Sequence, residues 1–577
     1  MCGILGYLGP KNASRLVHDG LKRLSYRGYD SWGLAALTHG SITLYKQVGD
    51  IEQTAPLELP STTVIGHTRW ATHGAVTVQN AHPHTNESGT ISVVHNGIIE
   101  NYELLRLALS EEGYIFKSQT DTEVIPHLID YYINHGRTFA SAFERALHDL
   151  HGSYAILALH TDGTLCFARN GSPLVIGLGK NEHYISSDIP SFLEHTKEVM
   201  YLEDGDHGVL NGSLQLFNSG KKVERAITTV PYDVDVAKRG NHPHFMIKEI
   251  EEQQRTIPAA LNQNAETIAR AVQFIKQTPH LVLVGCGTSY NTCAAASTHF
   301  ISAGRQTTCV IGSEFASILP VLNKETLVLA VSQSGETADV LDSVKAAQKK
   351  GCTVIALTNV PSSTLARLSS LVIPLGTGPE LCVLATKTAT AQLAVLTLLA
   401  LELAGKDKQC LIDTARDVRG VLAAGIEHAK SLSGKLKHAK SLFILGRGQM
   451  NHLAREAALK IKEVSYIHAE GMPGGELKHG SIALIEPGTP VIVLSDDSTR
   501  QLMASNAQEV RARGAYVIGI DSQPNTAYDY HIAIPERNEA TGILTVLPVQ
   551  LLAYHLALER GCNPDKPRNL AKSVTVR

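Results

Sequence analysis

"HLVLVGCGTSYN", residues 280–291, is an apolar run that ends abruptly in a glycine-rich turn with two hydroxyl residues. An apolar stretch of this length reads as a strand buried on both faces of a parallel sheet, and the turn after it opens a helix. The same pattern returns as "SLFILGRGQMNH" at 441–452. Two further pairs keep the spacing: "TLVLAVSQSGET" (326–337) with "PVIVLSDDSTRQ" (490–501), and "KKGCTVIALTN" (349–359) with "RARGAYVIGID" (511–521). An offset of about 160 residues is the size of a domain, too long for a solenoid unit. Each copy reads strand, Gly-rich turn, helix, strand, Ser/Asp turn, helix, strand. That order predicts two doubly wound parallel sheets with ligands at the C-terminal strand ends.

The copies differ in chemistry. "GCGTS" and "SQSGET" offer small hydroxyls and free backbone N–H groups at helix starts, which together form a phosphate cradle. The matching turn of the second copy is "SDDST", where Asp496 and Asp497 would repel a phosphate dianion. A dinucleotide site is disfavoured because Tyr290 stands where the third glycine of G-x-G-x-x-G is due. A P-loop fails for lack of G-K-[ST].

Upstream, the texture is different. Short β-like runs such as "GILGYLG", "TVIGHTRWATHG", "ISVVHNGIIEN" and "SYAILALH" alternate with helical patterns, predicting an α+β domain. One such helix, "TEVIPHLIDYYINHG", is expected to be capped by Thr120 or Asp121. The stretch after residue 218 turns polar and aperiodic. The expected division is 1–218, a linker at 219–245, the two repeat domains at 246–410 and 411–562, and a tail at 563–577.

With 577 residues the chain exceeds a single core, and its net charge of −3 without a basic block argues against nucleic acid. "AQLAVLTLLALELAG" (391–405) is short of a membrane span and ends in charge, so it reads as a buried helix. Nine scattered cysteines suggest reduced thiols in a cytoplasmic compartment. "HPH" occurs at 82–84 and 242–244 without zinc-like context, so no metal is expected.

The chain opens "MCGILGYLGP". Taken alone, Cys2 is either a small buried thiol or, once Met1 is removed, a residue carrying both a thiol and a free α-amine.

"RGYDS" (27–31), "HTRWATHG" (67–74) and "HNGIIEN" (95–101), with Cys2, resemble the class II glutamine amidotransferases, a branch of the N-terminal nucleophile hydrolases. "SQSGETAD", "GELKHG" (475–480) and the tail "PRNLAKSVTV" (567–576) resemble the tandem sugar-isomerase (SIS) module. The pair in this order is similar to the isomerising amidotransferases of ketose phosphates. The resemblance implies a four-layer αββα domain followed by two SIS domains. It further implies conversion of L-glutamine and fructose 6-phosphate to L-glutamate and glucosamine 6-phosphate, with no cofactor.

By the same resemblance, Cys2 is the nucleophile, and the Asn96 side chain and the Gly97 N–H form the oxyanion hole. Arg27, Arg69, Thr72, His73 and Asp121 would bind glutamine, and Trp70 would gate an ammonia channel. Cys286, Gly287, Thr288, Ser289, Ser332, Gln333, Ser334, Thr337 and Val383 would hold the sugar phosphate. Lys572 would form an imine with the ketose, Glu463 would move the proton between C1 and C2, and Lys460 would stabilise the developing charge. His479 would open the ring from a partner subunit, implying a homodimer through the SIS domains. Without the resemblance, Glu456, Lys460 and Glu463 read as a solvated charge ladder.

Some positions depart from the family pattern. "VLATK" at 383–387 puts Leu384 and Ala385 where smaller and hydroxylated residues are usual, and Trp32, Met472 and Pro473 are also unusual. Three rival readings remain: a different ketose phosphate, a sugar-phosphate-sensing SIS regulator, and an uncoupled glutaminase.

Overall fold

A computed structural model describes residues 2–230, 236 and 238–574. Met1, whose removal is expected, lies outside these, as do residues 231–235 and 237 of the connector and Thr575 and Val576 of the tail motif. The chain forms two compact units: residues 1–238 together with the chain end from Ala571, and Arg239–Leu570.

The first unit is built on two antiparallel sheets. Gly3–Leu8 lies inside an eight-stranded sheet, flanked by Thr63–Arg69 and Glu182–Ser186; Ile91–Ile99 lies in a seven-stranded sheet beside Gly152–His160. Period-2 alternation assigns the faces. In Gly152–His160, Ala155, Leu157 and Leu159 join Ile4, Ile65 and Ile185 in a core between the sheets. The alternate residues Tyr154, Ile156 and Ala158 join Val124, Leu128 and Phe143 in a core under helices Val124–Asn134 and Phe139–Asp149. Helix Ala13–Arg23 packs on the eight-stranded sheet. The layers therefore run αββα.

Two local expectations need correction. The helix begins at Val124 with Glu123 as N-cap and no side-chain cap bond. Asp121 instead accepts from the Ile99 N–H at 2.8 Å. The stretch 219–245 is not all connector, because Lys221–Lys222 and Ile227–Thr229 extend the two sheets as edge strands. Their residues are exposed, so no hydrophobic alternation marks them.

The second unit contains the repeat. Its two five-stranded sheets are parallel throughout and share one order. In the first, His280–Gly285 lies between Thr307–Ile311 and Thr326–Ser332; in the second, Ser441–Gly446 lies between His468–Pro473 and Pro490–Leu494. The turn after the first strand is the same in both. Gly287 has φ +53 and Gly448 φ +54, a conformation L side chains rarely adopt, each as the N-cap of the next helix. Helices Lys387–Ala404 and Thr541–Glu559 are long and apolar, and both are buried in the shared core.

Candidate active sites

Within the first unit, Gly3–Leu8 delivers Cys2 to the end of Thr63–Arg69, so that the Trp70 N–H donates to the Cys2 sulfur at 3.2 Å. Burial pushes the thiol up from its ordinary value. The Asn96 amide nitrogen donates to the Cys2 carbonyl oxygen at 2.8 Å, and Arg27 Nε donates to the same oxygen at 3.3 Å. The carbonyl thus marks a spot where two donors from distant segments converge.

Gly97 follows Asn96 with φ +128, and a Cβ there would lie 1.9 Å from the Ser153 carbonyl oxygen. Only glycine fits this bend of the strand. Arg27 also pairs with Asp188 at 2.7 Å, and both its charge and its position tie it to the scaffold behind Cys2. Arg69 is 3% exposed and donates to the carbonyls of Ala75 (3.2 Å), Gly74 (3.3 Å) and His73. It therefore shapes the loop that carries Thr72 and His73, whose side chains lie 3.3 Å apart. The structure brings Cys2, Arg27, Trp70 and Asn96 together by direct bonds, and links Arg69 to them through that loop.

In the second unit, the turns of the first SIS copy are internally braced. Ser332 Oγ lies 3.0 Å from Thr337 Oγ1 and accepts from the Gly335 N–H at 3.1 Å. The Glu336 N–H donates to Ser334 Oγ at 3.2 Å, and the Gln333 carbonyl accepts from the Asn359 N–H at 3.1 Å. Cys286, Gly287, Thr288 and Ser289 form the neighbouring strand-to-helix turn. Val383 is half-buried, whereas the Leu384 side chain is 1% exposed and packs in the core. The bulk of Leu384 is spent on packing.

The helix Gln449–Ser465 carries the charged trio. Lys460 is 2% exposed, with Glu463 at 2.8 Å and Glu456 at 3.5 Å. Glu456 accepts from Thr288 Oγ1 at 3.0 Å and from Asn291 Nδ2 at 2.9 Å. The solvated ladder is thus corrected: the first copy covers this face and supplies the donors that a buried carboxylate needs. Burial alone would lower the Lys460 ammonium, but the charges of Glu463 and Glu456 outweigh it and hold it charged well above its ordinary value. Burial pushes the Glu456 carboxyl up, partly offset by Lys460.

His479 is exposed on a short 3-10 turn. Lys572, in the chain end that groups with the first unit, is 7% exposed.

Two residues were missed by motif reading. Gln392, buried in Lys387–Ala404, donates to Ser289 Oγ at 3.1 Å, and Asn291 holds Glu456. A glutamine in the otherwise apolar "AQLAV" was the available signal for the first. In the second copy, Asp496 accepts from the Thr499 N–H at 2.9 Å and from Thr499 Oγ1 at 2.7 Å, filling the turn with its own carboxylate. Among the described residues, no group of three or more His, Cys, Asp or Glu is arranged to hold a metal ion.

The family model of the glutamine amidotransferase domain matches residues 67–194, and that of the SIS domain matches 274–402 and 435–560. A curated relative from Pyrococcus horikoshii, named glutamine-fructose-6-phosphate aminotransferase (isomerizing), is 41% identical over 600 residues, covering 100% of both chains. One of the same name from Thermococcus kodakarensis is 40% identical over 601 residues, again covering 100% of both. Among solved structures, the C-terminal domain of glucosamine-fructose-6-phosphate aminotransferase from Francisella tularensis is 30% identical. It covers 57% of this chain and 99% of its own, with a TM-score of 0.53.

Proposed function

The chain belongs to the glutamine-fructose-6-phosphate aminotransferase (isomerizing) family, and from that premise we propose how its residues divide the work. The enzyme converts L-glutamine and fructose 6-phosphate to L-glutamate and glucosamine 6-phosphate. One observation supports the assignment of its first half: the Asn96 amide nitrogen donates to the Cys2 carbonyl oxygen at 2.8 Å, which sets that amide beside the nucleophilic residue.

In the glutaminase step, the α-amine of processed Cys2 takes the thiol proton as sulfur attacks the side-chain amide carbon of glutamine. The oxyanion falls to Asn96 Nδ2 and the Gly97 N–H, and losing one such donor costs about 2.7–4 kcal/mol of barrier. The α-amine then protonates the leaving ammonia, and water cleaves the thioester to glutamate. Arg69 and Asp121 recognise the glutamine α-carboxylate and α-ammonium, with Arg27, Thr72 and His73 around them.

In the sugar step, Ser289, Ser332, Gln333, Ser334 and Thr337 take the phosphate, with Cys286, Gly287, Thr288 and Val383 lining the turn. Lys572 forms the ketose imine, His479 opens the ring, Glu463 shuttles the proton between C1 and C2, and Lys460 offsets the charge that develops. Ammonia passes internally from Cys2, with Trp70 as the gate. His479 serving a partner's site makes the working form a homodimer. The scattered spacing of the nine cysteines in the sequence supports a cytoplasmic location.

A different ketose acceptor now draws only on Ala385, because Leu384 is spent in the core. The test uses amide-labelled glutamine with fructose 6-phosphate, beside Cys2→Ala. Label is expected on the amino sugar with wild type, and Cys2→Ala is expected to use only added ammonium. Unlabelled product from wild type would overturn the coupled reading.

A further inference from the structure

We infer that His67 is a positioning residue of the glutaminase half, holding the Asn96 carboxamide in the one orientation that turns its N–H group towards the Cys2 carbonyl, beside the nucleophile. The inference rests on the Cys2 reading above and deepens it.

The ring nitrogen Nε2 of His67 lies 3.0 Å from the His95 carbonyl oxygen and 3.1 Å from Asn96 Oδ1. A backbone carbonyl only accepts, so Nε2 carries the proton, which fixes the tautomer. Nδ1 is buried with no hydrogen-bond partner among the described residues, so a second proton would find no acceptor there. Burial lowers the ring to about 3, and His67 stays neutral at working pH.

The fixed N–H then decides the next group. Carboxamide oxygen and nitrogen have nearly the same shape, and only their partners distinguish them. With Oδ1 on His67, Nδ2 donates to the Cys2 carbonyl at 2.8 Å. The inverted amide would set N–H against N–H at His67 and oxygen against oxygen at Cys2.

The ring itself has no freedom to yield. His67 is 0% exposed in the strand Thr63–Arg69, paired with Ile4 on one side and Gly33 on the other. The His82 ring lies against it at 4.0 Å, and His82 Nε2 meets Thr122 Oγ1 at 2.9 Å. Thr122 Oγ1 also meets His95 Nδ1 at 2.9 Å. A chain of buried polar groups thus runs from the His95 carbonyl of one sheet through His67 and Asn96 to the Cys2 carbonyl of the other.

The test is glutamine hydrolysis by the full chain with fructose 6-phosphate present, with amino-sugar formation from ammonium as the folding control. His67→Leu and His67→Met, which fill the space without a donor, are expected to lower kcat about 10–100-fold at little-changed KM for glutamine. His67→Gln, whose amide N–H can replace Nε2, is expected to recover to within about fivefold of wild type. In an Asn96→Ala background His67→Leu should cost less than about twofold, because no amide remains to be oriented. Full kcat in the donor-free variants, or the same loss with and without Asn96, overturns the inference. Wild type that fails to hydrolyse glutamine, or Cys2→Ala that still does, sinks the glutaminase reading instead.

Discussion

Replacing Gly97 by alanine tests the oxyanion hole through a single carbon atom. The new Cβ would lie 1.9 Å from the Ser153 carbonyl oxygen, 2.7 Å from its carbonyl carbon and 2.9 Å from the Tyr154 Cα, all backbone atoms of the paired strand. Real Cβ contacts stay beyond 3.0 Å, so the two strands must separate by about 1 Å at this position. Alanine must also hold φ near +128, adding roughly 1–2 kcal/mol of strain that relaxes only by turning the peptide. Either response moves the Gly97 N–H away from the oxyanion. A displacement of about 1 Å costs on the order of 10²-fold in rate, and complete loss of one donor about 10²–10³-fold. The assay is glutamate release at saturating glutamine, with ammonium-driven amino-sugar synthesis measured on the same preparation. Gly97→Ala should lose at least about 100-fold in the first and keep the second. If glutamine turnover stays within threefold of wild type, the Gly97 N–H is not a transition-state donor and the oxyanion assignment fails.

Other perturbations read other parts of the molecule. Glu456→Ala strands the Thr288 hydroxyl and the Asn291 amide without their acceptor while Lys460 keeps Glu463, so the second unit should lose about 3–5 kcal/mol by urea unfolding, with Glu456→Gln losing less. Gln392→Leu removes the donor to Ser289 Oγ and should raise KM for fructose 6-phosphate up to about tenfold at little cost in kcat, measured by steady-state kinetics. Acid should weaken the first unit. Folded His67 titrates at about 3 and His82 well below the ordinary histidine range, both through burial, so the unfolded chain binds more protons below pH ~6.5. That stability is complete above pH ~6.5 and falls as pH drops towards 3, by up to ~1.4 kcal/mol per pH unit for each ring. Melting curves from pH 7 to 4.5 should show the decline, and a flat profile would refute it.

The repeat was readable because its signals are local. Apolar strands bounded by Gly287 and Gly448 announce the same turn in both copies, and each glycine is needed where it stands. The αββα sandwich came through the resemblance: Gly152–His160 is apolar on both faces because it serves two cores at once, which marks a strand but not its layers. The Glu456–Lys460–Glu463 helix was not readable. Three charges at helical spacing look solvated, and only Thr288 and Asn291, more than 160 residues away in sequence, make their burial tolerable. Leu384 misled in the other direction: as a large residue where the family pattern has a small one it favoured a different acceptor, while packing draws the side chain inward. The connector strands escaped because exposed edges carry no hydrophobic period. Asp121 is not the cap because the helix starts at Val124, leaving that carboxylate to the Ile99 N–H.

Asp496 closing its own turn has a consequence for how a duplicated fold becomes an asymmetric enzyme. A phosphate entering the turn of the second copy would have to displace a carboxylate already satisfied by Thr499, so of two like folds only the first offers a turn lined by hydroxyls. Sealing the spare seat from within frees that half from ligand duty. Its first helix carries a lysine and two glutamates instead, so the two copies share a backbone but present opposite chemistry.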